Sequence, residues 1–346
     1  MATTVIGLDL GTTYVRAVEV QQGRTPTVLR CAEAPLPLGA VQDGEVTDPG
    51  PVVDALRRMW LQTKFSHKDV VIGVGNQRVL VRNLDLPWLP MAQLRASLPY
   101  QVQDNLPVAV EDALLDFYPT AEYNGESGRS VQGLLVAATR DTVQANVAAV
   151  ESAGLRPLVV DLNAFALVRA HMTGDLRNRI VALVDIGARI TNVVVARHGN
   201  PVLVRTLPAG GQHLTDAIAA ELSIPNPEAE AIKRQVGVGY GVAPELRKAA
   251  EVVNHVTQGL VESIRNTLVY YASTNPGQSI DGIVLTGGAA SLSGLGQYLS
   301  SASRLPVAMG DVLSSVTVSG SASFDGRPGM QQSLAVPLGL ALAVAA

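Results

Sequence analysis

The chain has 346 residues, a formal net charge of −4, 47% hydrophobic and 16% charged residues. That length exceeds one small core, and that balance excludes both a disordered chain and a nucleic-acid binder relying on a large basic surface. The single cysteine, Cys31, excludes an intrachain disulfide and a cysteine-based metal cluster, and reads as a small buried hydrophobe.

The N-terminal MATTVIGLDLG runs straight into an apolar strand, without the basic region and long apolar core of a signal peptide. No stretch reaches the ~18–20 uninterrupted apolar residues of a membrane helix. The expectation is a cytoplasmic protein that meets a membrane only through partners.

In chain order, β-runs are predicted at 4–10, 14–20 and 26–31, a helix with proline near its start at 49–63, and a buried strand at 69–74. The pattern then changes. An alternating strand at 78–87 precedes a helical stretch at 90–107, expected to be interrupted or ended near Pro99. A strand (112–123), a polar turn (124–130) and another strand (131–140) follow. Next comes a helix beginning Asp141-Thr142 and stopped at Gly154. Together these predict a small α+β insertion of two helices and about three strands, after which 158–163 returns to the main sheet. The second half repeats the first in outline: strands at 180–186, 190–197 and 201–207, then helices at 213–222, 227–236 and 243–272. A strand at 281–288 leads through a glycine-rich turn into a helix at 292–303, and the apolar 334–346 reads as a buried closing helix.

Two hairpins carry the chemistry. VIGLDLGTTYVRAVEV holds Asp9, Gly11, Thr12 and Thr13, and IVALVDIGARITNVVVARHG holds Asp185, Gly187 and Thr191. Glycine at such a strand-to-turn junction lets backbone N–H groups approach a phosphate. Asp9 and Asp185 are expected to face each other across a cleft, where paired carboxylates can hold a hydrated Mg²⁺ on an oligophosphate. Four further features belong with them. Gly210-Gly211 stand between a strand and a helix, where N–H groups point at an anion. Glu230 and Lys233 share a helical face, where a carboxylate can bind ribose hydroxyls and the lysine stem can flank a base. Gly287-Gly288 let the chain pass close to a ligand, and Arg16 lies two residues beyond Tyr14 on the first hairpin. Singly, each has an ordinary explanation: a plain turn, a surface charge, or an ion pair worth ~0.2–0.5 kcal/mol. Their order and spacing together shift the balance.

That order resembles the actin-like ATPases. Asp9-Leu10-Gly11-Thr12-Thr13 resembles their first phosphate motif, Asp185-Ile186-Gly187 the second, and Gly287-Gly288 the adenosine motif. Ala229-Glu230 with Lys233 resembles the purine-side helix of the bacterial members. Within that superfamily the chain resembles the PilM family of type IV pilus machines, on LRASLPYQVQDNLPVAVEDALLDFYP and LLVAATRDTVQANVAAVESAGLRPLVVDLNAFALVRA. FtsA carries a comparable insertion and an amphipathic membrane tail that is not read here; MreB carries a different insertion.

The resemblance implies an α/β fold, a duplicated actin-like (ribonuclease H-like) architecture with the insertion in its first half. It places the first half at 1–76 and 157–180, the insertion at 77–156 and the second half at 181–346, with a return of the C-terminal helix to the first half left open. ATP with Mg²⁺ is the implied cofactor. Gly11, Thr12, Thr13, Arg16, Gly187, Gly210, Gly211, Glu230, Lys233, Gly287 and Gly288 would touch the nucleotide. Asp9 and Asp185 would hold the metal through water. The implied partner is the cytoplasmic N-terminal peptide of the inner-membrane protein PilN, in a groove near Leu84–Leu98, with the pilus motor ATPase a further candidate. The protein would then be peripheral to the inner membrane.

Two departures bear on turnover. Where hydrolysing relatives place a glutamate that orients water, this chain has Asn163, which cannot take the proton as a carboxylate can; Asp161 is the nearby carboxylate. Ala188-Arg189 replace small residues of the second motif. The expectation is ATP binding with slow or absent hydrolysis. The rivals are a polymerising FtsA-like or MreB-like cytoskeletal ATPase and a sugar-kinase-like phosphotransferase using Asp161.

Overall fold

The computed structural model describes residues 3–103, 106–125, 128–239, 241–320, 322 and 329–343. Within it β1 (Thr4–Leu10), β2 (Tyr14–Gln21) and β3 (Thr27–Pro35) form an antiparallel meander. The short hairpin β4 (Val41–Gln42) and β5 (Glu45–Val46) leads to α1 (Pro49–Thr63), whose first turn is capped by Asp48 accepting from the Gly50 N–H at 3.2 Å. β6 (Asp69–Val74) runs parallel beside β1. Buried nearly throughout, β6 shows the continuous apolar run of a strand covered on both faces.

The insertion comprises β7 (Val79–Pro87), α2 (Met91–Val102), β8 (Ala113–Gly125) and β9 (Gly128–Thr139), with sheet order β7-β9-β8. Residues 126–127 of the expected polar turn lie outside the described residues. The expected break near Pro99 does not occur: α2 continues through it to Val102. Leu94, Leu98 and Val102, four residues apart, pack with Leu86, Phe117 and Leu135, and this buried stripe outweighs the lost backbone bond. α3 (Arg140–Ser152) is not a helix of the insertion alone. Val143 near its start lies with Val79 and Ala138, while Ala149 and Val150 join the core beneath α1.

β10 (Arg156–Leu162) returns as the edge of the first sheet and begins two residues earlier than its apolar run suggests. α4 (Asn163–His171) follows at once. The second half begins with β11 (Ile180–Ile186), β12 (Thr191–Arg197) and β13 (Asn200–Leu207). α5 (Gly211–Leu222), α6 (Asn226–Val236) and the long α7 (Arg247–Thr274) come next, then β14 (Gly282–Thr286), α8 (Leu295–Ser303), β15 (Val307–Met309) and β16 (Thr317–Val318). α9 (Met330–Ser333) and α10 (Ala335–Ala341) close the described chain; residues 344–346 of the expected closing helix lie outside it.

The duplication is visible in the sheets. The first runs β10-β6-β1-β2-β3-β16 and the second β13-β12-β11-β14-β15. Apart from β16 the same order and directions recur, β1 corresponding to β11, β2 to β12, β3 to β13, β6 to β14 and β10 to β15. Register repeats too: Asp9 pairs with Arg16, and Asp185 with Asn192. α4 and α10 share one core with both sheets, through Leu167, Leu338 and Leu340 against Val18, Val71, Leu183 and Val194. The outer face of the first sheet is covered by α1, and that of the second by α7 and α8.

Candidate functional site

Each hairpin turns by the same device. The Gly11 N–H donates to the Tyr14 carbonyl at 3.0 Å, and the Gly187 N–H to that of Ile190 at 2.9 Å. Those bonds close two matching turns, each just beyond an aspartate at the end of a buried strand. Asp9 and Asp185 therefore line one small cavity of about 100 Å³ together with Asn163, Arg189 and Gly287. Gly287 must be glycine: its φ is +92°, and a Cβ there would stand 2.5 Å from the Ile186 carbonyl oxygen and 2.6 Å from Asp185 Oδ1.

The cavity is electrostatically poised. Burial pushes the Asp185 carboxyl up to about 6, with the Asn192 amide opposing that rise and the Asp9 charge adding to it. Burial raises Asp9 as well, with Arg16 opposing. Arg16 is fixed by Glu33 at 3.1 Å, lies 4.0 Å from Asp9 and sits over the Tyr14 ring, 5.0 Å from its centroid. Two facing carboxylates that are costly to ionise form a place for a cation. No cluster of three or more metal-ligating side chains occurs among the described residues. A hard cation held through water and phosphate oxygens fits this pair better than a cage of protein ligands.

The cleft widens away from the carboxylates. A cavity of about 530 Å³ is lined by Thr12, Thr13, Arg16, Gly187, Gly211, Glu230, Lys233 and Gly288. It adjoins one of about 280 Å³ with apolar walls from Ile186, Leu214, Leu260 and Leu295, sharing Gly211, Glu230, Lys233 and Gly288 with it. The N–H groups of Thr12, Thr13, Ala188 and Gly288 meet no acceptor among the described residues. They are the amides free to take an anion.

Several expected site residues act otherwise than expected. The Gly210-Gly211 amides do not point at an anion. The Gly211 N–H donates to Gly187 O at 2.9 Å, and the Gly210 N–H to His213 Nδ1 at 3.2 Å. With Gln212 N–H on Ala188 O at 2.7 Å, they fasten the start of α5 to the second turn. Gly11 shapes its turn without lining the cleft, and Thr191 donates to Ala209 O. Asp161 does not line the cleft: its carboxylate pairs with Arg169, which also donates to Gly339 O at 2.8 Å. Arg169, one helical turn or more along α4, draws it away. Within Leu84–Leu98, Leu86, Leu94 and Leu98 are core of the insertion, and Trp88 and Met91 are the large apolar side chains left exposed. A groove of about 450 Å³ lies between the insertion and β13, lined by Val79, Val81, Val108, Ala137 and Val204.

Glu230 and Lys233 form more than a solvated pair. Lys233 Nζ is buried and donates to Gly211 O at 3.0 Å, Thr215 Oγ1 at 2.9 Å and Glu230 Oε2 at 2.5 Å. Burial lowers the Lys233 pKa, and Glu230 opposes that. Lys233→Met keeps the stem but removes the donor shared by three acceptors, with the Thr215 hydroxyl left to serve Gly211 O or Glu230 Oε2. It should cost about 2 kcal/mol, read as a lower urea midpoint; an unchanged midpoint would mean the ammonium contributes nothing there. Thr215, Asn192, Glu33 and Asp216 were not singled out in the sequence. Their types are common on helices and strands; only the fold brings Thr215, Asn192 and Glu33 to the cleft and pairs Asp216 with Arg189.

The family profile described as "Type IV pilus assembly protein PilM" matches residues 7–344. FtsA of Neisseria meningitidis is 24% identical over 343 residues, covering 88% of this chain and 82% of that protein. FtsA of Bacillus subtilis is 28% identical over 185 residues, so that match spans only 41% of that protein and 48% of this chain. Among solved structures, the PilM-PilN type IV pilus biogenesis complex superposes with a TM-score of 0.85 and 26% identity over 99% of this chain and 98% of the other. MreB5 of Spiroplasma citri bound to ADP superposes at 0.54 with 14% identity, over 97% and 94% of the two chains, which shows the shared actin-like fold.

Proposed function

The chain belongs to the PilM family of type IV pilus assembly proteins, and from that premise we propose that it is an ATP-binding actin-like scaffold of the pilus assembly machine. One observation carries the nucleotide part: two equivalent hairpins bring Asp9 and Asp185 to one end of a cleft whose other end is an apolar pocket gated by Glu230 and Lys233. The first end suits Mg²⁺ and phosphates; the second suits a purine.

Asn163 supports slow or absent turnover. It opens α4 where a water-activating carboxylate would be needed, and its Oδ1 is buried without a donor. A Cβ on Gly73 would stand 2.0 Å from that oxygen, so the side chain is wedged against β6. The acceptor is thus turned toward β6, and α4 itself carries no carboxylate to activate water at the phosphate end.

The partner proposed is the N-terminal peptide of PilN, by likeness to the PilM-PilN complex. The groove between the insertion and β13 has the apolar walls that an extended peptide uses. No helix among the described residues is long and apolar enough to cross a membrane. Attachment to the inner membrane would therefore run through PilN, on its cytoplasmic side.

The test is ATP binding and phosphate release by the purified chain with Mg²⁺. Tight binding with negligible release is expected; rapid release would remove the handicap assigned to Asn163, and absence of binding would remove the nucleotide reading. The likeness to FtsA supports a second reading, a polymerising cytoskeletal ATPase, which filaments appearing with ATP above a threshold protein concentration would favour.

A further inference from the structure

Arg189 follows the second glycine turn and lines the carboxylate end of the cleft beside Asp9, Asp185 and Asn163. Among the described residues its guanidinium makes one ion pair, Nη2 to Asp216 Oδ2 at 2.6 Å, which draws it toward α5. Asp216 stands in the second turn of α5, and Gln212 Nε2 donates to its Oδ1 at 2.9 Å. Both carboxylate oxygens are therefore engaged, and the acceptor is fixed. The Gln212 N–H in turn bonds Ala188 O at 2.7 Å, so the segment bearing Asp216 is tied to the turn bearing Arg189.

The Arg189 and Asp216 side chains are 28% and 35% exposed. At such exposure an ion pair is worth little net and is exchanged readily. A terminal phosphate arriving beside Asp9 and Asp185 offers two anionic oxygens to a planar fork, a better match than the single carboxylate oxygen that Arg189 now contacts. Arg189 does not line the wider cavity, whose walls include Thr12, Thr13 and Lys233, so α- and β-phosphates seated there stay out of its reach.

We propose that Arg189 is the residue by which this chain distinguishes a nucleoside triphosphate from a diphosphate, and that Asp216 is a positioning residue that holds Arg189 off the phosphate site until a terminal phosphate competes for it. The proposal rests on the nucleotide reading given above. In the ligand-free and diphosphate-bound states the guanidinium stays on Asp216. In the triphosphate-bound state it transfers to the terminal phosphate, and Asp216 keeps only Gln212.

Calorimetric titration of the full chain with ATP and with ADP, each with Mg²⁺, tests this in Arg189→Gln, Arg189→Lys and Asp216→Asn. Arg189→Gln should weaken ATP about tenfold and leave ADP within about twofold. Arg189→Lys should restore part of the difference, since it keeps charge without the fork. Asp216→Asn should tighten ATP several-fold without moving ADP, an effect that a purely structural ion pair would not produce. Equal losses for ATP and ADP in Arg189→Gln, or weaker ATP binding in Asp216→Asn, would overturn the proposal while leaving the nucleotide site standing. A wild-type chain that binds neither nucleotide would overturn the nucleotide reading itself, and this proposal with it.

Discussion

Asp185→Asn should make the ligand-free protein more stable at pH 8 while removing its response to Mg²⁺ and nucleotide. The folded-state pKa of Asp185 is raised from 3.8 to about 6, chiefly by burial. A carboxyl so raised contributes stability that is fully present below the unfolded value and lost as pH rises through the folded one. Above pH 6 the buried charge therefore costs the ligand-free fold about 3 kcal/mol. Asparagine has no charge to desolvate, and its Oδ1 can still accept from the Asn192 amide that now lies 3.3 Å from Asp185 Oδ2. Wild type and variant should thus melt together near pH 4 and separate between pH 4 and 6, with the variant the more stable. Added Mg²⁺ and ATP should reverse the order, because only the wild type gains a carboxylate–cation contact. Thermal melts across pH check both halves. A variant less stable than wild type at pH 8 without ligand would show that the charge at Asp185 is already compensated within the protein.

Gly339→Ala should be the most damaging single-methyl change in the closing helix. Gly339 lies in α10 against α4, and a Cβ there would stand 1.9 Å from the Ala166 carbonyl oxygen. Both partners are backbone, so no side chain can rotate away. The helices must separate, and β1 limits how α10 can shift, because even a Cβ on Gly7 would lie 2.0 Å from the Pro337 oxygen. Overpacking of this kind costs about 3 kcal/mol. The loss reaches the cleft, because Ser333 and Val336 line its carboxylate end. The comparison is Gly296→Ala in α8, where the nearest atom to the new Cβ is Val307 Cγ1 at 3.9 Å. That change should be neutral or slightly stabilising, by the helix propensity of alanine. Denaturant midpoints for the two variants decide: a large drop for Gly339→Ala alone is expected, and equal small effects would mean that α10 has room to move.

Much of the architecture can be read in the sequence because central strands carry their own signature. The runs VIGLDL, DVVIGV and IVALVDI are apolar on both faces, as strands buried between layers must be, and Asp9 and Asp185 stand out as charges near the C-terminal ends of theirs. The hairpins are equally legible, since a glycine between two strand runs marks the turn. Pro99 misleads for a physical reason: local propensity argues for a break, while Leu94, Leu98 and Val102 gain more from burial than the backbone loses. The amides of Gly210 and Gly211 mislead in the opposite sense. A glycine pair before a helix looks the same whether its N–H groups face a ligand or a neighbouring loop, and here Gly187 and His213 take them. Asp161 is hidden by its partner, because Arg169 is a residue of another element and only the fold joins the two. Asp216 and Thr215 carry no local signal, since a hydroxyl beside a carboxylate is commonplace in a helix, and only the fold buries Thr215 against Lys233 and brings Asp216 to Arg189.

We propose that nucleotide bound between the two halves prepares the surface for the PilN peptide and is held rather than spent. Titration of a synthetic PilN N-terminal peptide into the purified chain, once without nucleotide and once with saturating ATP and Mg²⁺, tests it most directly. Peptide affinity about tenfold higher with ATP, with no phosphate released over the titration, is the predicted result. Equal affinity in both titrations would contradict the account.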